Sequence, residues 1–227
     1  MGSALRARGL PTAAEGRAFG AALRRWYRRH ARDLPWRRTR DAYAILVSEL
    51  MLQQTQVSRV IDYWHAFLDR FPTLHHVAEA HEREVLAAWA GLGYYARARN
   101  LHKLARHVVA ERPGGLPSTP DELRRLPGIG AYTAGAVASF AFEQRAALVD
   151  TNVARVLARV FAPRLNPKRA KDLAQLWRIA EALVPRTGKA AWVQNQALME
   201  LGALVCTARV KRCAACPMRR RCKSSEA

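Results

Sequence analysis

Four cysteines, Cys206, Cys213, Cys216 and Cys222, are the whole cysteine complement of this 227-residue chain. They crowd into one late stretch with the spacing Cys-x6-Cys-x2-Cys-x5-Cys. The fold is thereby constrained, because whatever precedes this stretch must deliver four thiolates to one loop. A disulfide framework spreads its cysteines along a chain, so a metal site in a reducing compartment is favoured. Four thiolates saturate either one Zn²⁺ or a [4Fe–4S] cluster. Zinc ribbons usually carry two close cysteine pairs and here only Cys213 and Cys216 are close, which tips the spacing toward iron–sulfur. With no ligand position left open, the metal reads as structural. Arg209, Lys211, Arg212, Arg219, Arg220, Arg221 and Lys223 stud the same loop. Some would offset the negative charge of a thiolate-ligated cluster, and the others can meet phosphates.

The residues around this loop predict an all-α chain. Ala, Leu and Arg dominate, and period-2 runs of β-branched residues are absent. Helices are expected over Ala13–Arg32, Asp41–Gln54, Ser58–Arg70, Thr73–Glu79, Glu82–Ala90, Tyr95–Glu111, Pro120–Arg125, Ala131–Phe142, Thr151–Phe161, Pro167–Val184 and Lys189–Val205. Thr119–Pro120–Asp121–Glu122 is a capping box with proline at the first helical position, and Asp41 and Asp150 are expected N-caps. The charge is lopsided, with 38 Lys+Arg against 18 Asp+Glu, a formal +20. Such an excess points to a polyanionic partner. No run approaches the ~18 apolar residues that cross a bilayer, and no amphipathic helix has the bulky face of a membrane-surface binder. Nucleic acid is the better partner. Met1–Pro11 lacks the apolar core of a signal peptide and is expected to be a frayed cytosolic tail.

Three further stretches carry chemistry. Leu126–Pro127–Gly128–Ile129–Gly130 joins two short helices. Positive φ at Gly128 and Gly130 would turn backbone N–H groups outward at a helix N-terminus, a seat for phosphate; a plain helix–helix turn is the alternative. The segment Ala42–Leu52 is apolar almost all round, so Glu49 in its middle is expected to be buried. Without a cation partner a buried glutamate stays protonated near neutrality, as a general acid requires; a backbone or arginine contact would be the ordinary role. Asp150 opens a helix, where exposed N–H groups favour an ionised carboxylate. One acid for a leaving group and one anion for an oxocarbenium-like sugar is the logic of glycosidic cleavage. Gln53 and Gln54 follow Glu49, and their amides can read base edges or cap a helix end. Tyr94 and Tyr95 precede Arg97, Arg99, Asn100, His102 and Lys103, an interleaving that suits base stacking and phosphate contact as well as core packing.

Together these stretches resemble the MutY adenine DNA glycosylases of the helix–hairpin–helix (endonuclease III) superfamily, from about Arg32 to Cys222. The most specific pieces are R-D-L-P-W-R (Arg32–Arg37), S-E-L-M-L-Q-Q-T-Q-V (Ser48–Val57) and G-L-G-Y-Y-A-R-A-R-N-L-H-K (Gly91–Lys103). They continue with L-P-G-I-G-A-Y-T-A-G-A (Leu126–Ala136), V-D-T-N-V-A-R-V-L-A-R (Val149–Arg159) and the cysteine loop. The resemblance implies a two-lobed helix–hairpin–helix DNA glycosylase fold with a C-terminal [4Fe–4S] loop. Residues 1–37 would be an N-terminal tail and helix of the cluster lobe, 38–147 a six-helix lobe with the hairpin, and 148–227 the rest of the cluster lobe. It implies a monomer that binds double-stranded DNA containing a mispaired base, in the cytoplasm at the nucleoid and away from membranes. DNA would lie across the cleft with the target base flipped into it.

By the same resemblance Glu49 is the acid that protonates adenine, Asp150 stabilises the cationic sugar and Tyr132 lies against the reaction centre. Tyr94 is similar to the wedge that fills the stack, and Gln53 to a residue supporting the displaced bases. Arg32, Trp36, Arg37 and Gln196 match positions around the adenine pocket, with Gln54 and Asn152 also on the substrate-binding side. Gly128, Gly130, Lys211 and Arg212 would meet the DNA backbone. Three features depart from the pattern. The chain stops at Ala227, where typical members continue into a domain that helps recognise 8-oxoguanine. Thr151 stands where many members have glycine, and in this the chain is similar to the endonuclease III branch. Tyr132 stands where that branch places its Schiff-base lysine, which implies a monofunctional hydrolase. Tyrosine also stands there in mismatch-thymine glycosylases, so a pyrimidine glycosylase acting on T·G or U·G is an alternative. A non-enzymatic iron–sulfur DNA-binding protein is an alternative of another class. The intact E-x-M-L-Q-Q-T block around Glu49 favours adenine mispaired with 8-oxoguanine or guanine.

Overall fold

The computed structural model describes residues 10–225. Most of the expected frayed tail, residues 1–9, therefore lies outside the described residues. Eleven α-helices are present among the described residues, with no β-strand and one isolated antiparallel bridge, Cys206 to Lys211. They are α1 Ala13–His30, α2 Ala42–Met51, α3 Val57–Arg70, α4 Leu74–Glu79, α5 Glu82–Ala88, α6 Ala96–Glu111, α7 Pro120–Leu123, α8 Ala131–Phe142, α9 Thr151–Phe161, α10 Ala170–Leu183 and α11 Gly188–Leu204. No described helix is long and apolar enough to cross a membrane.

The chain divides into two compact units, one spanning Asp33–Gln144 and the other made of Arg145–Ala227 with the N-terminal stretch that ends at Arg32. In the first, α2 is the central helix, against α8, α3 and α6, while α4 and α5 cover α6. All of α2 except Ala42 is buried, as its near-continuous apolar sequence requires. In the second, α1 and α9 pack on α11, and α10 lies on α9 and α1.

Helix ends follow local chemistry. The Thr12 hydroxyl and the Glu15 carboxylate form a reciprocal capping box on α1, and Arg28, Arg29 and His30 in its last turn complement the helix dipole. Asp41 caps α2 through Tyr43 N at 2.9 Å, as the sequence indicates. At α7 the box is incomplete. Thr119 accepts from Glu122 N at 3.4 Å, but its hydroxyl donates to the Glu122 carboxylate at 2.7 Å. Two expected helices each lose three residues at one end. α2 stops at Met51 because Arg97 takes up its last carbonyls and Gln54 turns left-handed, at φ 59°. α10 starts at Ala170 because the preceding residues form a local turn, Lys168 N to Asn166 Oδ1 at 3.0 Å and Asn166 N to Asp172 Oδ2 at 2.9 Å.

Two glycines mark close approaches. Gly128 sits at φ 75°, and a Cβ there would lie 2.6 Å from Asn100 Cβ, so the hairpin turn seats directly on α6. A Cβ on Gly202 would lie 2.7 Å from Asn152 Cβ, so glycine lets α11 reach the first turn of α9.

Candidate active site

In the Asp33–Gln144 unit the focal group is Glu49. It is 3% exposed, and the Tyr132 hydroxyl donates to its Oε2 at 2.6 Å. Tyr132 is the second residue of α8, aimed by the hairpin turn that ends at Gly130. Gly130 itself is the extended N-cap of α8, at φ −86° and with no side-chain cap. The left-handed conformation expected at both glycines is thus used only at Gly128, since one sharp reversal suffices to start the helix. Gln53 reaches from the end of α2 toward Thr133 Oγ1 at 3.4 Å, while Gln54 is exposed. Trp36 lies in a 3₁₀ turn, Pro35–Arg37, buried edge-on against Trp64 at 6.2 Å, and Arg37 beside it is half-buried. Tyr94 is 60% exposed at φ 49°.

In the other unit, Asp150 caps α9, with Oδ1 accepting from Val153 N at 2.6 Å and Oδ2 from Asn152 Nδ2 at 3.0 Å. Burial pushes the Asp150 carboxyl above the usual aspartate value. The Val153 and Asn152 hydrogen bonds and the Arg155 charge pull it back. The sequence marks no role for Arg155, yet it organises this corner. It donates to Asn152 Oδ1 at 2.7 Å, to Gly202 O at 2.8 Å and to Cys206 O at 2.9 Å. Its spacing after Asp150 placed it on α9, but nothing in the pattern indicated the carbonyls it meets. Arg32 is held by Glu200, Nε to Oε1 at 2.9 Å and Nη2 to Oε2 at 2.8 Å, with its backbone N–H also on Oε1. This fork raises the Arg32 guanidinium pKa further. Gln196 is buried on α11.

Cys206, Cys213, Cys216 and Cys222 line one cavity whose other walls include Val156, Val160, Leu201 and Val205. Burial pushes the Cys216 thiol up, and the charges of the other three cysteines add to the effect, so the four share one electrostatic environment. Arg159 approaches Cys206 Sγ at 3.3 Å and also donates to Thr207 O at 2.7 Å. Among the described residues no three potential ligands close around a single ion. A cavity ringed by four cysteines, apolar on one side and with a cation at one sulfur, fits a multi-iron cluster held by thiolates. Lys211 and Arg212 are exposed on this loop, Arg212 donating to Leu204 O at 2.8 Å.

Residues 47–182 match the HhH-GPD superfamily of base excision DNA repair proteins. The chain is 47% identical over 222 residues to the human adenine DNA glycosylase, covering 94% of this chain and 40% of the relative. It is 48% identical over 195 residues to the adenine DNA glycosylase of Mycolicibacterium smegmatis, covering 85% and 65%. The chain therefore spans less than two thirds of these relatives. Among solved structures, a thermostable thymine-DNA glycosylase superposes with a TM-score of 0.84 at 31% identity, covering 92% of this chain and 96% of that one. Endonuclease III, trapped on DNA, superposes at 0.79 with 22% identity, covering 95% and 98%, a likeness of fold.

Proposed function

Since the chain belongs to the HhH-GPD superfamily of base excision DNA repair proteins, we propose that it hydrolyses the N-glycosidic bond of adenine mispaired with 8-oxoguanine or guanine in duplex DNA. It acts as a monomer on cytoplasmic, nucleoid-associated DNA and leaves an intact abasic strand. The observation that carries this reading is Glu49, a carboxyl group buried in an apolar helix with the Tyr132 hydroxyl 2.6 Å from Oε2. Adenine leaves poorly as an anion, so a ring nitrogen must be protonated as the bond breaks. Burial favours the neutral carboxylic acid. In this reading Glu49, with Oε2 accepting from the Tyr132 hydroxyl, hands its proton to the base as a general acid. Asp150 is the anion that faces the positive charge growing on the sugar, held by Val153 N and Asn152 Nδ2.

Trp36, Arg37, Arg32, Gln53, Gln54, Asn152 and Gln196 serve substrate binding in this reading. For Arg32 and Asn152 the part is indirect, because Glu200 and Asp150 already engage them. Tyr94 is the wedge. The uncapped N-terminus of α8 at Gly128–Gly130 seats a phosphate, and Lys211 and Arg212 supply cationic contacts. Cys206, Cys213, Cys216 and Cys222 would hold a [4Fe–4S] cluster, which when bound supplies a structural crosslink for the loop. Purified protein is expected to be straw-brown with about four irons per chain; stoichiometric zinc in a colourless protein would contradict this.

A Schiff-base lyase needs an amine at the sugar, and Tyr132 provides none. Strand breaks on an A·8-oxoguanine duplex should therefore emerge only after alkali, and efficient borohydride trapping of a protein–DNA adduct would contradict the hydrolytic reading. The likeness to a thymine-DNA glycosylase supports a second reading, removal of thymine opposite guanine, which predicts cutting of a T·G duplex in preference to A·8-oxoguanine.

A further inference from the structure

Arg97 is only 7% exposed, and its guanidinium gathers two separate turns of the Asp33–Gln144 unit. On one side it donates to the carbonyls of Leu50 at 2.7 Å, Met51 at 2.8 Å and Gln53 at 2.6 Å, the turn that ends α2. On the other it donates to Leu92 O at 3.3 Å and Gly93 O at 2.9 Å, with Nε reaching Tyr94 O at 3.3 Å. Its Cζ lies 5.5 Å from the centroid of the Trp89 ring and 5.6 Å from that of Tyr94. Each turn contains a non-glycine residue in the left-handed region, Gln54 at φ 59° and Tyr94 at φ 49°, a conformation that persists only where its surroundings impose it. Both residues are exposed, one presenting an amide and the other a ring.

We propose that Arg97 is a positioning residue that locks the Gln54 and Tyr94 turns into one two-pronged element, so that the two prongs open the base stack as a unit. The proposal rests on the base-flipping reading above and adds to it a single hub with two coupled tips. The forked guanidinium is what suits it to this task, because its five donors reach carbonyls on both sides at once. Lysine keeps the charge but offers one ammonium that cannot span the two turns.

The test uses the full chain and a duplex with 2-aminopurine at the target position opposite guanine, its fluorescence reporting unstacking. Binding to a duplex carrying a stable abasic analogue, where the stack is already open, is measured beside it. Arg97→Lys is expected to cut the unstacking amplitude severely and to slow single-turnover base release by about 10²-fold, the order a misplaced substrate loses. Binding to the abasic duplex is expected to stay within about 2-fold, since Lys211, Arg212 and the hairpin carry it. Gln54→Ala and Tyr94→Ala should each lower unstacking in the parent, and the double variant should lose far less than the two losses combined. That cycle needs no change at the buried guanidinium, so it decides the matter even if Arg97→Lys folds poorly. Parental unstacking by Arg97→Lys, or additive losses at Gln54 and Tyr94, would overturn the proposal. A parent that itself gives no unstacking signal would overturn the base-flipping reading instead, and the proposal with it.

Discussion

Glu49→Gln is expected to slow single-turnover base release by roughly 10²–10⁴-fold, the usual cost of losing a general acid. Glutamine fits the same volume in α2, and its carbonyl oxygen can still accept from the Tyr132 hydroxyl that now meets Oε2 at 2.6 Å. What it lacks is a proton acidic enough to transfer. Binding to mispaired duplex is therefore expected to match the parent, because phosphate contacts dominate affinity and lie elsewhere. Tyr132→Phe separates orientation from proton supply: it leaves the acid in place and should cost about tenfold, well short of the general-acid range. Rapid-quench base release beside a binding titration checks both variants. Near-parental turnover by Glu49→Gln would remove the acid from the mechanism.

Asp150→Asn should cost about 10²–10³-fold, the order seen when one group stabilising transition-state charge is removed. Asparagine caps helices as well as aspartate does, so α9 keeps its start and the loss is one of charge. The pH dependence has a definite sign. Burial raises the Asp150 carboxyl above its ordinary value of 3.8, while Val153 N, Asn152 Nδ2 and the Arg155 charge favour the ionised form. Only the ionised form opposes a sugar cation, so base release is expected to fall with decreasing pH through that raised value. Asn152→Ala removes one donor to the ionised form and should move this acid limb to higher pH. A limb that moves down would contradict the assignment. Linkage runs the other way for stability. Because the folded state holds the Asp150 proton more tightly than the unfolded chain does, ionisation costs stability as pH rises from 3.8 through the folded value. Asp150→Asn is thus expected to be no less stable than the parent at neutral pH.

The sequence disclosed faces and caps better than partners. α8 and α9 begin and end where the pattern puts them, because Gly130 and Asp150 are readable caps and the apolar residues follow a 3.6 period. The burial of Glu49 was legible for the same reason, since A-Y-A-I-L-V-S-E-L-M leaves no polar face for water. The identity of its neighbour is not readable from periodicity, and only the family resemblance set Tyr132 against the reaction centre. Glu49 and Tyr132 are 83 residues apart, and periodicity says which side of a helix is inside, never what lies opposite. Arg97 and Arg155 were hidden by their chemistry: a basic residue in a chain of +20 reads as surface or phosphate contact, whereas both spend donors on carbonyls at or near helix ends. The turns around Arg97 and the 3₁₀ turns carry no readable signal either. The left-handed turns at Gln54 and Tyr94 use residues without glycine's freedom, and the short 3₁₀ turns at Pro35–Arg37, Cys213–Ala215 and Arg219–Arg221 are below the length at which a period can be seen.

The measurement that tests the central claim most directly is single-turnover base release from four duplexes under one set of conditions: A·8-oxoguanine, A·G, T·G and U·G. Adenine excision by a buried general acid predicts release from the two adenine-containing duplexes, revealed as strand breaks after alkali, with T·G and U·G left essentially intact. Release of thymine or uracil from opposite guanine with adenine untouched would contradict it.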